Sequence, residues 1–130
     1  MTRDLDICYA RDRANLEALA ATLQELHAHL RGVDDVPFRL DARSLGAGDS
    51  FTFTTDAGDL DVIGTPAGTL GYDELARTAH TTKLGDLHVR VASIDSLIRM
   101  KRAAGRPKDL IEVEVLGALR DELDQASGPS

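Results

Sequence analysis

Ser50-Phe51-Thr52-Phe53-Thr54-Thr55-Asp56-Ala57-Gly58-Asp59-Leu60-Asp61-Val62-Ile63 is the stretch on which the fold turns. Residues 50–55 alternate polar and apolar, the period of a strand with one buried face. Asp56-Ala57-Gly58 reads as a tight turn, with Gly58 able to take positive φ. Leu60 to Ile63 is then the return strand, and the two make a hairpin. Side chains alternate across a strand, so Asp59 and Asp61 share one face while Leu60 and Val62 take the other.

The same pattern opens the chain. Asp4-Leu5-Asp6-Ile7-Cys8-Tyr9 reads as a strand with two carboxylates on one face and Leu5 and Ile7 turned to a core. Between these strands, residues 12–31 predict a helix. Leu16, Leu19, Leu23, Leu26 and Leu30 recur at spacings of three and four, with Asp12 as N-cap and Gly32 as the stop. Residues 33–37 predict a turn, 38–40 a short strand, and 43–48 a short helix or loop.

Beyond the hairpin, residues 64–71 form a loop marked by Pro66 and Gly68, and 72–79 a short helix. Residues 87–92 alternate as a further strand. Ser93 caps a helix containing Ile94, Leu97, Ile98 and Met100. Gly105 ends it, and Pro107 sits in the first turn of a last helix running to about Leu123. The tail, 126–130, is expected to be disordered. Together these elements predict an α/β (α+β) fold: a small mixed sheet with flanking helices, in a single domain over residues 1–125.

At 130 residues the chain is long enough to bury a core. Aromatic residues make up only 4 %, so packing falls to Leu, Val, Ile and Ala. No apolar run reaches the roughly 20 residues a membrane helix needs. Charges at Arg3, Asp4 and Asp6 interrupt any signal-peptide pattern. The single cysteine excludes an internal disulfide and fits a reducing cytoplasm. A net charge of −7 argues against sequence-independent binding to duplex DNA, which depends on neutralising phosphates. Within residues 93–108, however, Arg99, Lys101, Arg102, Arg106 and Lys108 face one acid, Asp95. A basic island of that kind suits a small polyanion such as a nucleoside triphosphate.

Grouped carboxylates on rigid strands suit hard divalent cations, which prefer oxygen ligands. Two-metal phosphoryl transfer needs such a group, because the paired ions sit roughly 3.5–4 Å apart. Asp4, Asp6 and Asp61 are the candidate ligands for Mg²⁺ or Mn²⁺, with Asp61 anchored by Leu60 and Val62. Asp59 shares the face of Asp61 but borders the turn, where it reads equally as a solvated strand end. Lys101 and Lys108 flank the break between the last two helices, where the free N–H groups at the start of the final helix favour an anion.

Other chemistry-bearing residues carry less. Cys8 reads as a small buried side chain rather than a nucleophile. His27 and His29 fall on the polar side of the first long helix without the i, i+4 spacing of a zinc pair, and His80 and His88 have no local partner. Gly46 and Gly48 lack the frame and lysine of a phosphate-binding loop.

Taken together, Thr2-Arg3-Asp4-Leu5-Asp6-Ile7, Leu60-Asp61-Val62 and the run Leu97-Ile98-Arg99-Met100-Lys101-Arg102-Ala103-Ala104-Gly105-Arg106-Pro107-Lys108-Asp109-Leu110 resemble the nucleotidyltransferases of the DNA polymerase beta superfamily, in the AbiEii/AbiGii toxin-like subgroup. The likeness extends to about residue 123. It implies that Asp4, Asp6 and Asp61 are the metal-binding and catalytic acids, with Asp61 helping to activate the attacking hydroxyl. It further implies that Lys101, Arg106 and Lys108 lie near the nucleotide. The implied reaction is Mg²⁺-dependent transfer of an NMP from an NTP to an RNA, such as tRNA, or to a protein acceptor. An antitoxin would be the partner of a toxin. The family also carries a Gly-Ser or Gly-Gly element just before the Asp-x-Asp strand, and here Asp4 follows Met1 by three residues with no such element. The alternative expectation is therefore an N-terminally truncated, inactive module that binds a nucleotide or partner, with an exposed apolar edge that favours self-association.

Overall fold

The computed structural model describes residues 4–32 and 38–126, the side chains of Asp4 and Ala126 excepted. The turn expected at 33–37 and residues 127–130 of the expected tail lie outside the described residues. The chain divides into two compact units, residues 1–65 and 66–130. Among the described residues the class is the expected mixed α+β, with five helices, a four-stranded mixed sheet and a two-stranded sheet. None of the helices is long and apolar enough to cross a membrane.

The first unit begins with β1 (Asp4–Cys8) and α1 (Arg13–Glu25). Asp12 caps α1 by accepting from the Asn15 amide. Leu16, Ala20 and Leu23 form the buried stripe of α1. The leucine pattern predicted six further residues of helix, and the chain departs from it. Leu26 is the C-cap, His27 takes a φ of 52°, and the chain turns back into a two-residue strand, β2 (His29–Leu30). The Ala28 amide donates to Leu23 O and the His27 amide to Gln24 O, which satisfies carbonyls at the helix end. His27 and His29 therefore flank a turn and a strand instead of lining a helix face. Gly32 follows β2 with φ +77° and ends no helix.

No strand forms at 38–40. The short helix expected after it is α2 (Ala42–Ala47), capped by the Asp41 carboxylate accepting from the Ser44 amide. The hairpin is present as β3 (Ser50–Thr55) and β4 (Gly58–Ile63). Thr55 closes its turn: the hydroxyl donates to Gly58 O and accepts from the Ala57 amide.

The sheet runs β1-β4-β3-β2, with β1 parallel to β4 and the other pairs antiparallel. Its two faces differ as the alternation demands. Phe53 and Val62 are fully buried with Leu23, Leu45 and Tyr9, against the stripe of α1 and the inner side of α2. Ile7, Leu30, Phe51 and Leu60 extend this core. Leu5, on β1 at the sheet edge, is 63 % exposed. The other face carries Thr52, Thr54, Asp59, Asp61 and Asp6.

Tyr9, Arg11 and Asp49 tie α2 to the end of β1. The buried Tyr9 hydroxyl donates to Leu45 O at 3.0 Å and lies 3.2 Å from Gly48 O. Arg11 donates to Gly46 O at 2.6 Å, Gly48 O at 3.0 Å and Asp49 at 3.1 Å. These contacts satisfy the orphan carbonyls at the C-terminal end of α2.

The second unit comprises α3 (Tyr72–Thr78), β5 (His80–Leu84), β6 (Leu87–Val91), α4 (Ile94–Ala104) and α5 (Pro107–Ala126). Ser93 caps α4 as expected, and Gly105 ends it with φ 68°. Pro107 opens α5, where the absent amide hydrogen removes no helical bond. The hairpin β5–β6 exceeds the sequence reading, which held only its second strand. Its register puts Leu84, Leu87, Val89 and Val91 on one face and Thr81, Lys83, His88 and Arg90 on the other.

Candidate functional site

Two cross-strand rows assemble on the polar face of the four-stranded sheet. Asp6 is the direct partner of Asp61, and Asp4 of Asp59, on neighbouring parallel strands. Asp61 is in turn the partner of Thr52, and Asp59 of Thr54. The Arg31 amide donates to Thr52 O at 2.9 Å, extending the β2–β3 ladder by one residue. One row therefore reads Arg31, Thr52, Asp61, Asp6 across four strand positions. Adjacent strands lie about 4.8 Å apart, so the carboxylates of Asp6 and Asp61 rise side by side. Asp6 is exposed and Asp61 half-buried.

The row holds a cation that the sequence reading missed. Arg31 Nη2 donates to Asp61 Oδ1 at 3.2 Å and to Phe53 O at 3.2 Å. Arg31 Nε lies 3.7 Å from Asp59 Oδ2, beyond hydrogen-bond reach. That nitrogen is buried and makes no hydrogen bond. A buried donor without an acceptor costs about 1–3 kcal/mol, so the guanidinium is held by the two aspartates in an imperfect geometry. Asp6 and Asp61 are like charges in register, and Arg31 offsets part of their repulsion.

The donor chemistry fits a hard divalent cation, since aspartate oxygens on two strands are what such ions take. Among the described residues no group of three or more His, Cys, Asp or Glu is arranged to hold a metal. The described carboxylates give Asp6 and Asp61 in register. Asp4, the third acid of the sequence reading, is placed by its backbone two residues along the same strand.

No protein-family model matches this chain, and no curated protein matches it.

The basic run lies in the second unit, at the break between α4 and α5. The most buried side chain at that break is an acid. Asp109 is 0 % exposed and accepts from the Arg106 amide at 3.2 Å, from Arg106 Nε at 2.6 Å and from Nη2 at 3.2 Å. These bonds, the Arg106 side chain first, hold the Asp109 carboxyl below the usual carboxylate range despite its burial. Lys101 Nζ pairs with Glu112 at 2.6 Å and lies 3.7 Å from Asp109. Arg106 and Lys101 thus serve the turn between the helices, and Lys108 is exposed on the first turn of α5. The Asp109 cap was legible in the spacing of Arg106 and Asp109, an N-cap-like i, i+3 relation that the charge count hid.

Cys8 is half-buried and its thiol lies 3.6 Å from Gly64 O. Burial, with the Asp49 charge second, pushes its pKa up, which disfavours the thiolate that a nucleophilic role needs. His27 pairs with Asp56 across the hairpin end. His80 and His88 fall on opposite faces of β5–β6.

Proposed function

We propose that this chain is a divalent-cation-dependent nucleotidyltransferase that moves an NMP from an NTP to a hydroxyl of an RNA or protein. The observation that carries the reading is the in-register pairing of Asp6 with Asp61 on parallel strands, with Asp4 two residues from Asp6 on the same strand. Asp4, Asp6 and Asp61 are the residues that would hold Mg²⁺ or Mn²⁺, which when bound supplies charge neutralisation for the triphosphate.

The residues then have distinct tasks. Asp6 is central to the set, being next to Asp4 in the strand pattern and opposite Asp61 across the ladder. Asp61 accepts the proton of the attacking hydroxyl. The acceptor oxygen bonds to the α-phosphorus, the bond from that phosphorus to the bridging oxygen breaks, and pyrophosphate leaves. The strands fix the carboxylates more rigidly than loops would, which suits a reaction dominated by positioning. By the same proposal an antitoxin is the partner of a toxin activity.

A second reading, a nucleotide- or partner-binding module without catalysis, is favoured by one observation: Arg31 already holds Asp61. A labelled-NTP assay separates the two. The enzyme reading expects Mg²⁺-dependent label transfer that Asp6→Ala abolishes. Label transfer unchanged in Asp6→Ala would reject it, and Mg²⁺- and NTP-dependent thermal stabilisation without any transfer would support the binding module.

A further inference from the structure

We infer that Arg31 is a resident counter-cation that competes with the divalent ion for Asp61, and so sets how tightly this chain takes up metal. The inference rests on the proposal that Asp6 and Asp61 are cation ligands.

Three observations carry it. First, Arg31 is placed for the task by the sheet itself. Its amide bond to Thr52 O puts it in the same cross-strand row as Asp61 and Asp6, so its side chain reaches over Thr52 to the carboxylates. Second, the guanidinium engages both β4 acids, Asp61 at 3.2 Å and Asp59 at 3.7 Å. An ion coordinated by Asp61 must share that carboxylate with a positive charge or displace it. Third, the Arg31 position is not a well-satisfied one. Its Nε is buried without a hydrogen-bond partner, while Nη2 divides itself between Asp61 and the Phe53 carbonyl. A guanidinium normally meets a carboxylate with two parallel bonds, and here the two contacts are spread over two aspartates. Such a contact balances the carboxylates when no ion is present and yields to one that supplies a better set of bonds.

The size of the effect follows from screening. The Arg31 side chain is 35 % exposed and that of Asp61 is 25 % exposed, so the pair is neither bulk-screened nor dry. Removing one such charge is expected to tighten divalent binding about tenfold, well under the unscreened Coulomb limit.

The test is a Mn²⁺ titration of the full chain followed by electron paramagnetic resonance of the unbound ion, at fixed ionic strength. Circular dichroism checks that each variant is folded. Arg31→Gln is expected to bind Mn²⁺ about tenfold more tightly than the unsubstituted chain. Arg31→Lys retains the charge but cannot span Asp61, Asp59 and the Phe53 carbonyl together, so it is expected to fall between the two. It also supplies the answer should the glutamine variant not fold. Equal or weaker Mn²⁺ affinity in the folded variant overturns the role of Arg31, while binding by the unsubstituted chain leaves the carboxylate reading standing. Absence of Mn²⁺ binding in both the unsubstituted chain and the variant overturns the carboxylate reading and this inference together. Binding that appears only when Arg31 is replaced supports the inference in its strongest form, with Arg31 as a lock on the site.

Discussion

Removing the Tyr9 hydroxyl isolates the contact that joins the end of β1 to α2. Tyr9 is 3 % exposed, and its ring belongs to the main core, so Tyr9→Phe keeps the packing and deletes one oxygen. That oxygen donates a hydrogen shared by Leu45 O and Gly48 O and accepts from Arg11 Nη1 at 3.3 Å. Gly48 O keeps its bond from Arg11 Nη2, so Leu45 O is the acceptor that loses most. One net hydrogen bond plus one weakened buried acceptor amounts to about 1–2 kcal/mol. Equilibrium urea unfolding followed by far-UV circular dichroism measures it, and the denaturant slope should stay the same. The pH dependence provides a second readout. Burial pushes the Tyr9 phenol above its ordinary value. The unfolded chain therefore ionises first, and native stability declines as pH rises from about 10 through the folded value. Tyr9→Phe should lose that alkaline decline. A variant within about 0.3 kcal/mol of the parent, with the alkaline decline intact, would refute the account of this contact.

Two further perturbations probe the second unit. Asp109→Asn should lower the melting temperature, and the difference from the parent should shrink in acid. The Arg106 bonds depress the folded pKa, so the contribution is in place above about pH 4 and fades as pH falls through the lower folded value. Gly68→Ala should destabilise by about 2 kcal/mol in the same urea assay, because φ is +77° and an added methyl would lie 2.8 Å from Ala103 Cβ and 3.0 Å from Arg99 O.

The parts of the fold legible in the sequence are those whose signal is local. The alternation of residues 50–55 and the turn at Asp56-Ala57 fixed a hairpin that is present with the expected faces. The caps at Asp12, Ser93 and Gly105 fall where their chemistry placed them. Long-range partners decided the rest. Leu26 and Leu30 continue the leucine period of α1, yet the helix ends at Glu25. The chain reverses there because Asp56, nearly thirty residues on, donates its amide to Leu26 O and pairs its carboxylate with His27. Leu30 still joins the core, but from β2. That reversal also hid Arg31, whose place beside Asp61 exists only once β2 adds to the sheet. β5 escaped notice because His80-Thr81-Thr82-Lys83-Leu84 shows one aliphatic residue, and its apolar face is completed by β6 across the ladder.

The carboxylate row shows the same division. Two Asp-x-Asp runs on strands were readable, and so was the sharing of a face within each run. The parallel register that sets Asp6 against Asp61 instead of Asp59 was not, since a slip of two residues leaves every acid on the same face and the alternation does not distinguish the two pairings. The basic run was readable as charge but not as structure, because Asp109 and Glu112 engage Arg106 and Lys101 at the turn between α4 and α5.

The central claim is that Asp6 and Asp61 jointly bind a divalent cation. Diffraction from crystals equilibrated with Mn²⁺, with an anomalous difference map at the manganese edge, tests it most directly. The account predicts an anomalous peak between the two carboxylates, about 2.1 Å from an oxygen of each, with Arg31 withdrawn from Asp61. A map with no peak there, and Arg31 still bonded to Asp61, would contradict it.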